Sequence, residues 1–307
     1  MKKIRLSIYL IIVLLMYVAF RIYEWEQPPL PSIHTFVHRG GGRGMPENTL
    51  ESVRFAWSLG MTPELNLRTT KDFRIVLFHD DDFKRLVSNP PPKHRGKGIK
   101  DYPYSVIKNL EVGSKFGKKF SGQKIPTLEA VFKEMKGSPE RFVFLDVKKV
   151  YLDQLDELIR EYKMENQVIL TTDDYDILRR WRIHFPTAKT MFWIKGDDAQ
   201  IYKSLTLMRK HGFQGLTHFQ IILHTVQGRD EPFTVSREQI LRTIKELRKF
   251  GIVLQVFPVQ APDISTYLQL ANLGVKSFGT DYPMELVHFL TPLVEISQYF
   301  ELLPDEK

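Results

Sequence analysis

Residues 142–170 read FVFLDVKKVYLDQLDELIREYKMENQVIL. Phe142 to Val147 is an apolar run of strand length, Leu152 to Tyr162 repeats Leu152, Leu155, Ile159 and Tyr162 at the helical period, and Val168 to Leu170 is apolar again. Strand, amphipathic helix and strand at this spacing form a crossover unit, which sets its two strands parallel. The same rhythm extends in both directions. Strand-like runs occur at Thr35 to His38, Pro63 to Leu67, Arg74 to His79, Thr187 to Phe192, Phe213 to Leu216, Val253 to Phe257 and Val275 to Gly279. Helix-like runs occur at Thr49 to Leu59, Tyr175 to His184, Gln200 to His211, Arg237 to Phe250 and Ile264 to Leu273. The repeat count predicts an α/β fold closed into a TIM-type (β/α)8 barrel, with an open doubly wound sheet as the alternative. One segment breaks the rhythm. Residues 81–124, with Asn89-Pro90-Pro91-Pro92, many lysines and several glycines, read as an inserted loop region, either a wall of the active site or a solvated basic excursion.

A chain of 307 residues, 43% hydrophobic, can bury one large core, so one barrel domain over 34–307 is expected. The formal charge of +8, read as scattered through the domain, favours anionic surfaces such as lipid headgroups and gives little support for nucleic acid. With no cysteine, disulfides, zinc thiolates and thiol nucleophiles are excluded. Lys2, Lys3 and Arg5 precede an uncharged run of 15 residues from Leu6 to Phe20, closed by Arg21 and extended by Ile22, Tyr23 and Trp25. No small-x-small cleavage site follows. Residues 1–25 are therefore expected to form a membrane anchor helix and 26–33 a short Pro-rich linker, with the domain outside the cytoplasm. Secretion after signal cleavage is the alternative.

Polar residues punctuate the strands. Glu64 and Asn66 lie two apart in one strand, Asp146 and Lys148 two apart in another, so each pair faces one side. Buried carboxylates need partners or a metal. Glu64, Asn66 and Asp146, with Glu47 a further candidate, could surround a hard divalent cation, Mg²⁺ or Ca²⁺ rather than a soft metal.

His38-Arg39-Gly40, Pro46-Glu47-Asn48-Thr49, Thr70-Lys71-Asp72 leading to Phe78-His79-Asp80, Ile125-Pro126-Thr127-Leu128-Glu129 and Gly279-Thr280-Asp281-Tyr282-Pro283 resemble, in order and spacing, the glycerophosphodiester phosphodiesterases. The resemblance spans about His38 to Phe289. It implies a TIM-type barrel, hydrolysis of a phosphodiester bearing glycerol or a similar alcohol, and one divalent metal; a membrane-anchored branch of the family resembles lysophospholipase D in substrate choice. Three departures stand out. Glu64-Leu65-Asn66 replaces the family's Glu-x-Asp, Asp146-Val147-Lys148 its Glu-x-Lys, and Phe257-Pro258-Val259-Gln260 its Trp-Thr-Val-Asn.

His38 and His79 then suit an acid/base pair, because imidazole titrates near neutral pH; which is acid and which is base stays open. Arg39 and Lys148 suit the phosphate, and Trp193 and Phe257 suit a substrate wall. Asp281 reads as a turn or cap residue. The expected reaction is metal-dependent hydrolysis of glycerophosphodiesters to glycerol 3-phosphate and an alcohol, or of lysophospholipids. The alternatives are a weakened barrel that binds phosphorylated lipid or polyol, and an anchored interaction protein without catalysis.

Overall fold

A computed structural model of the chain describes residues 34–226 and 231–288. The expected anchor and linker lie outside the described residues, and among those described no helix is long and apolar enough to cross a membrane.

The strands are β1 (His34–Val37), β2 (Thr62–Thr69), β3 (Ile75–Leu77), β4 (Val143–Lys149), β5 (Val168–Thr172), β6 (Lys189–Lys195), β7 (His218–Leu223), β8 (Val253–Pro258) and β9 (Ser277–Thr280). Eight of them pair in parallel as β1-β2-β4-β5-β6-β7-β8-β9, and β9 returns to β1. The sheet thus closes, as expected of a (β/α)8 barrel. The helices on its outside are α1 (Leu50–Ser58), α2 (Tyr104–Ile107), α3 (Leu128–Met135), α4 (Leu152–Tyr162), α5 (Tyr175–His184), α6 (Asp198–Lys210), α7 (Arg237–Arg248) and α8 (Ile264–Asn272). Each longer helix buries one stripe, Leu155 and Ile159 in α4 and Ile201, Leu205 and Met208 in α6. Side-chain oxygens of Thr49, Asp174, Asp197 and Ser236 cap the N-termini of α1, α5, α6 and α7.

Two sequence readings are corrected. Arg74 to His79 is not a barrel strand: its core, β3, runs antiparallel to β2, with Leu67 opposite Leu77 and Thr69 opposite Ile75. This hairpin folds His79 back over the barrel mouth. Phe213 to Leu216 is a turn, with Gly212, Phe213 and Gly215 all at positive φ, and β7 begins two residues later at His218.

The barrel interior is filled in layers. Phe36, Phe144, Ile169, Met191 and Phe257 form an apolar floor under the mouth. Across β7, β8 and β9 runs a polar row in register, in which Gln220 Nε2 donates to Gln255 Oε1 at 2.5 Å and Gln255 Nε2 to Ser277 Oγ at 2.9 Å. Glycine is required at 279, because a Cβ there would collide with the Phe36 ring.

The insertion is more than a solvated excursion. Phe83, Leu86, Val87, Ile99, Ile107, Leu110 and Val112 pack with Val76 and Phe78 into a core of their own. Buried Glu111 staples its far end by accepting from the backbone N–H groups of Gly113, Ser114 and Gly122 at 2.8–3.0 Å. Charge is concentrated here rather than scattered: eleven Lys or Arg against four Asp or Glu between 81 and 124 account for nearly all of the chain's excess.

Candidate active site

His38 follows β1 directly and extends its ladder, its N–H bonding Thr280 O at 3.0 Å. The chain then turns sharply through positive φ at Arg39 and Gly40. Gly42, also at positive φ, lies so close to the Asp281 carbonyl that a Cβ would not fit. This turn seats His38 beside the end of β9, where its Nδ1 meets Asp281 Oδ1 at 2.7 Å; Asp281 Oδ2 accepts from Gln260 N–H at 3.0 Å. Burial alone would raise the Asp281 carboxyl, but the bond and charge of His38 outweigh it and hold it below its ordinary value. Asp281 is therefore the orienting partner of His38, not merely a turn residue. With Nδ1 on a carboxylate, the ring directs Nε2 toward the barrel mouth.

His79, just past β3, belongs to a second arrangement. Its Nδ1 meets Asp80 Oδ1 at 2.7 Å, and its Nε2 meets Arg39 Nη2 at 3.1 Å. Arg39 Nη1 donates to both oxygens of Glu47 at 3.0 and 3.2 Å. Arg85 donates to the same carboxylate at 2.6 and 2.8 Å and to both oxygens of Asp80 at 2.7 Å. His79, Asp80, Arg85, Glu47 and Arg39 thus form a closed circuit. Glu47, a further candidate for the metal site by sequence, has its carboxylate bound by two arginines in this structure. Sequence reading passed over Arg85, since nothing in the spacing marks it out among the insertion's many cations.

Glu64, Asn66, Asp146 and Lys148 converge as expected, on adjacent strands in which Asn66 pairs with Asp146. Arg39 N–H bonds Glu64 Oε2 at 2.7 Å, Trp193 Nε1 donates to Asp146 Oδ1 at 3.2 Å, and Lys148 Nζ sits 2.6 Å from Asp146 Oδ2. Burial first, and then the Glu64 charge, push the Asp146 carboxyl up to about 6. Asn66 departs from its expected part. Its amide nitrogen, not its oxygen, faces the carboxylates, 2.6 Å from Glu64 Oε1 and 3.0 Å from Asp146 Oδ2. Its oxygen is taken by Asn48 Nδ2 at 3.0 Å. The expected oxygen trio for a divalent cation does not form: two carboxylates face a donor where the third ligand should be, and among the described residues no group of three acidic, His or Cys side chains could hold a metal.

His38, Arg39, Glu64, Asn66, His79, Asp146, Lys148, Trp193 and Phe257 all line one cavity of about 280 Å³ at the C-terminal ends of the strands, with the Phe257 ring 4.9 Å from that of His38. Lys195, at the end of β6, also lines it and was not singled out by sequence. Its position becomes apparent only once β6 runs to residue 195, three residues past the expected end.

The sequence profile of the glycerophosphoryl diester phosphodiesterase family matches residues 38–285. The chain belongs to this family. Among phosphodiesterase relatives, the glycerophosphodiester phosphodiesterase of Caldanaerobacter subterraneus is 29% identical, over 70% of this chain and 91% of its own. The mouse lysophospholipase D GDPD1 is 30% identical, over 82% of this chain and 84% of its own. Solved structures share the fold: glycerophosphodiester phosphodiesterase from Agrobacterium tumefaciens at TM-score 0.65 and 21% identity, covering 83% of this chain and 99% of that one. An Oleispira antarctica phosphodiesterase in complex with the product sn-glycerol-3-phosphate matches at 0.63 and 19%, covering 84% and 96%. As in the phosphodiesterase family at large, then, the chain is a phosphoric diester hydrolase. In this phosphodiesterase an amide, Asn66, stands between the two carboxylates of the cavity, Glu64 and Asp146.

Proposed function

We propose that the chain hydrolyses glycerophosphodiesters to glycerol 3-phosphate and an alcohol, with His38 and His79 as the acid/base pair. The observation that carries this reading is that both imidazoles line one cavity, each with Nδ1 on a carboxylate. A phosphodiester anion entering there meets the Lys148 ammonium and the Arg39 guanidinium, which take its non-bridging oxygens. His38 Nε2 accepts a proton from water as the water oxygen bonds to phosphorus. The bond from phosphorus to the alcohol oxygen breaks, and that oxygen takes a proton from His79 Nε2, which picks one up from solvent once Arg39 has turned away to the phosphate. Arg39 couples binding to this step, because turning toward phosphate releases His79 Nε2 from its present bond. Phe36, Met191, Ile222 and Phe257 offer apolar contact to the alcohol, which extends the expected substrates to lysophospholipids.

The test is release of glycerol 3-phosphate from glycerophosphocholine and glycerophosphoethanolamine, and of headgroup from lysophosphatidylcholine, by the purified full chain. Lys148→Met is expected to lower kcat/KM by about ten- to a hundredfold, the worth of one charge-assisted bond of about 1.5–3 kcal/mol. A folded protein with no turnover on any of these substrates would rule the reading out.

The N-terminal basic-then-apolar run supports placing the enzyme on a membrane, its barrel outside the cytoplasm. Full-length protein in intact cells is then expected to resist carbonate extraction and to be digested by externally added protease. Protection from that protease would reverse the orientation.

A further inference from the structure

The donor pattern around Glu64 and Asp146 carries a conclusion beyond the reaction itself. An ionised carboxylate only accepts hydrogen bonds, and an Asn amide offers two N–H donors and one acceptor oxygen. All four carboxylate oxygens of Glu64 and Asp146 already have a protein donor: Arg39 N–H and Asn66 Nδ2 for Glu64, Trp193 Nε1 for one oxygen of Asp146, and Asn66 Nδ2 with Lys148 Nζ for the other. Asn66 spends one hydrogen on each carboxylate, so its nitrogen bridges them as a shared cation would.

The orientation of that amide is locked. Asn48 Oδ1 accepts the backbone N–H of Asn66 at 2.9 Å, which forces Asn48 Nδ2 toward the Asn66 side chain and requires an oxygen there. Asn48 is itself almost fully buried and tied through its N–H to Arg39 O at 2.9 Å. Turning Asn66 over to present oxygen to a cation would set two NH₂ groups against each other and strip both carboxylates of a donor. A carboxylate at 66 behaves differently. One of its oxygens would accept from Asn48 and the other would join Glu64 and Asp146, three like charges that need a cation between them.

We propose that this phosphodiesterase holds its carboxylate pair with the Asn66 amide and the Lys148 ammonium in place of a divalent cation, and binds and turns over its substrate without a resident metal. The substrate half of this statement rests on the hydrolase reading above; the metal half does not. Terbium titration of the full chain separates the two, because Trp193 touches Asp146 and would sensitise luminescence from an ion bound there; Trp193→Phe locates the signal. The parent is expected to show no saturable luminescence, no rise in Tm with Ca²⁺ or Mg²⁺, and hydrolysis indifferent to EDTA. Asn66→Asp should bind terbium at least about a hundredfold more tightly, with Ca²⁺ competing. Parent luminescence as strong as that of the variant and lost in Trp193→Phe, one equivalent of copurified divalent metal, or turnover abolished by EDTA and restored by Ca²⁺ or Mg²⁺ would each overturn the proposal. If Asn66→Asp does not fold, the parent titration decides alone. If the parent hydrolyses nothing under any condition, the function reading fails while the luminescence still decides the metal.

Discussion

His38→Ala is expected to lower kcat by about 10³-fold, within the range that one positioned acid/base group supplies, while leaving KM within a few-fold. The reason is local. His38 lines the cavity through a ring whose other nitrogen is fixed on Asp281, itself bound by Gln260 N–H. Truncation removes a group that acts in the transition state and leaves the phosphate contacts of Lys148 and Arg39 in place. Asp281→Asn separates positioning from chemistry. It keeps the size of the partner but lets Nδ1 lose its acceptor, so the tautomer that presents an unprotonated Nε2 is no longer enforced. Its kcat should fall by about 10²-fold and the acid limb of its pH–rate profile should move, whereas a residue that only shapes the turn at Gly42 would leave that limb unchanged. A His38→Ala enzyme as fast as its parent would remove His38 from the mechanism.

How far the site could be read from sequence depends on what each residue's role rests on. Strand periodicity was enough to put Glu64 with Asn66 and Asp146 with Lys148 on inward faces, and the strand–helix rhythm was enough for a closed barrel. Periodicity says nothing of strand direction, so the short antiparallel β3 passed as one more barrel strand. Phe213 to Leu216 misled because its apolar residues sit among glycines that take the left-handed backbone. Asp281 lies 243 residues from His38 and meets it only because β9 closes the barrel against β1. Arg85 reaches Glu47 and Asp80 from an insertion whose fold rests on its own small core. The orientation of the Asn66 amide is set by Asn48, a partner in the turn before α1 and 18 residues away in the chain, so residue type alone suggested a ligand where the packing puts a donor.

Glu47→Gln is expected to cost about 3–5 kcal/mol of stability at neutral pH, a large share of what a domain has to lose. Glu47 is 7% exposed and accepts four hydrogen bonds from three nitrogens, Arg39 Nη1 to both of its oxygens and Arg85 Nη1 and Nη2 to one each. The amide keeps the shape but turns one acceptor into a donor and leaves two guanidinium groups with one carboxylate, Asp80, between them. Burial by itself would raise the Glu47 carboxyl, yet the bonds and charges of Arg85 and Arg39 bring it below its ordinary value of 4.5. A group lowered on folding stabilises above its unfolded pKa, and that contribution is lost as pH falls through the folded one. Asp80 is lowered further, by His79 and Arg85 against burial, and Glu111 to about 2 by Ser88, Ser114 and Gly122 against burial. Parent stability in urea should therefore decline steadily below about pH 4.5. The Glu47→Gln curve should start lower at pH 7 and fall less steeply, because one of the titrating groups is gone. Equal slopes would mean that the circuit carries no linkage through Glu47. Activity should fall with stability in this variant, since Arg39, without Glu47, no longer has a fixed position from which to hold His79 and reach the phosphate.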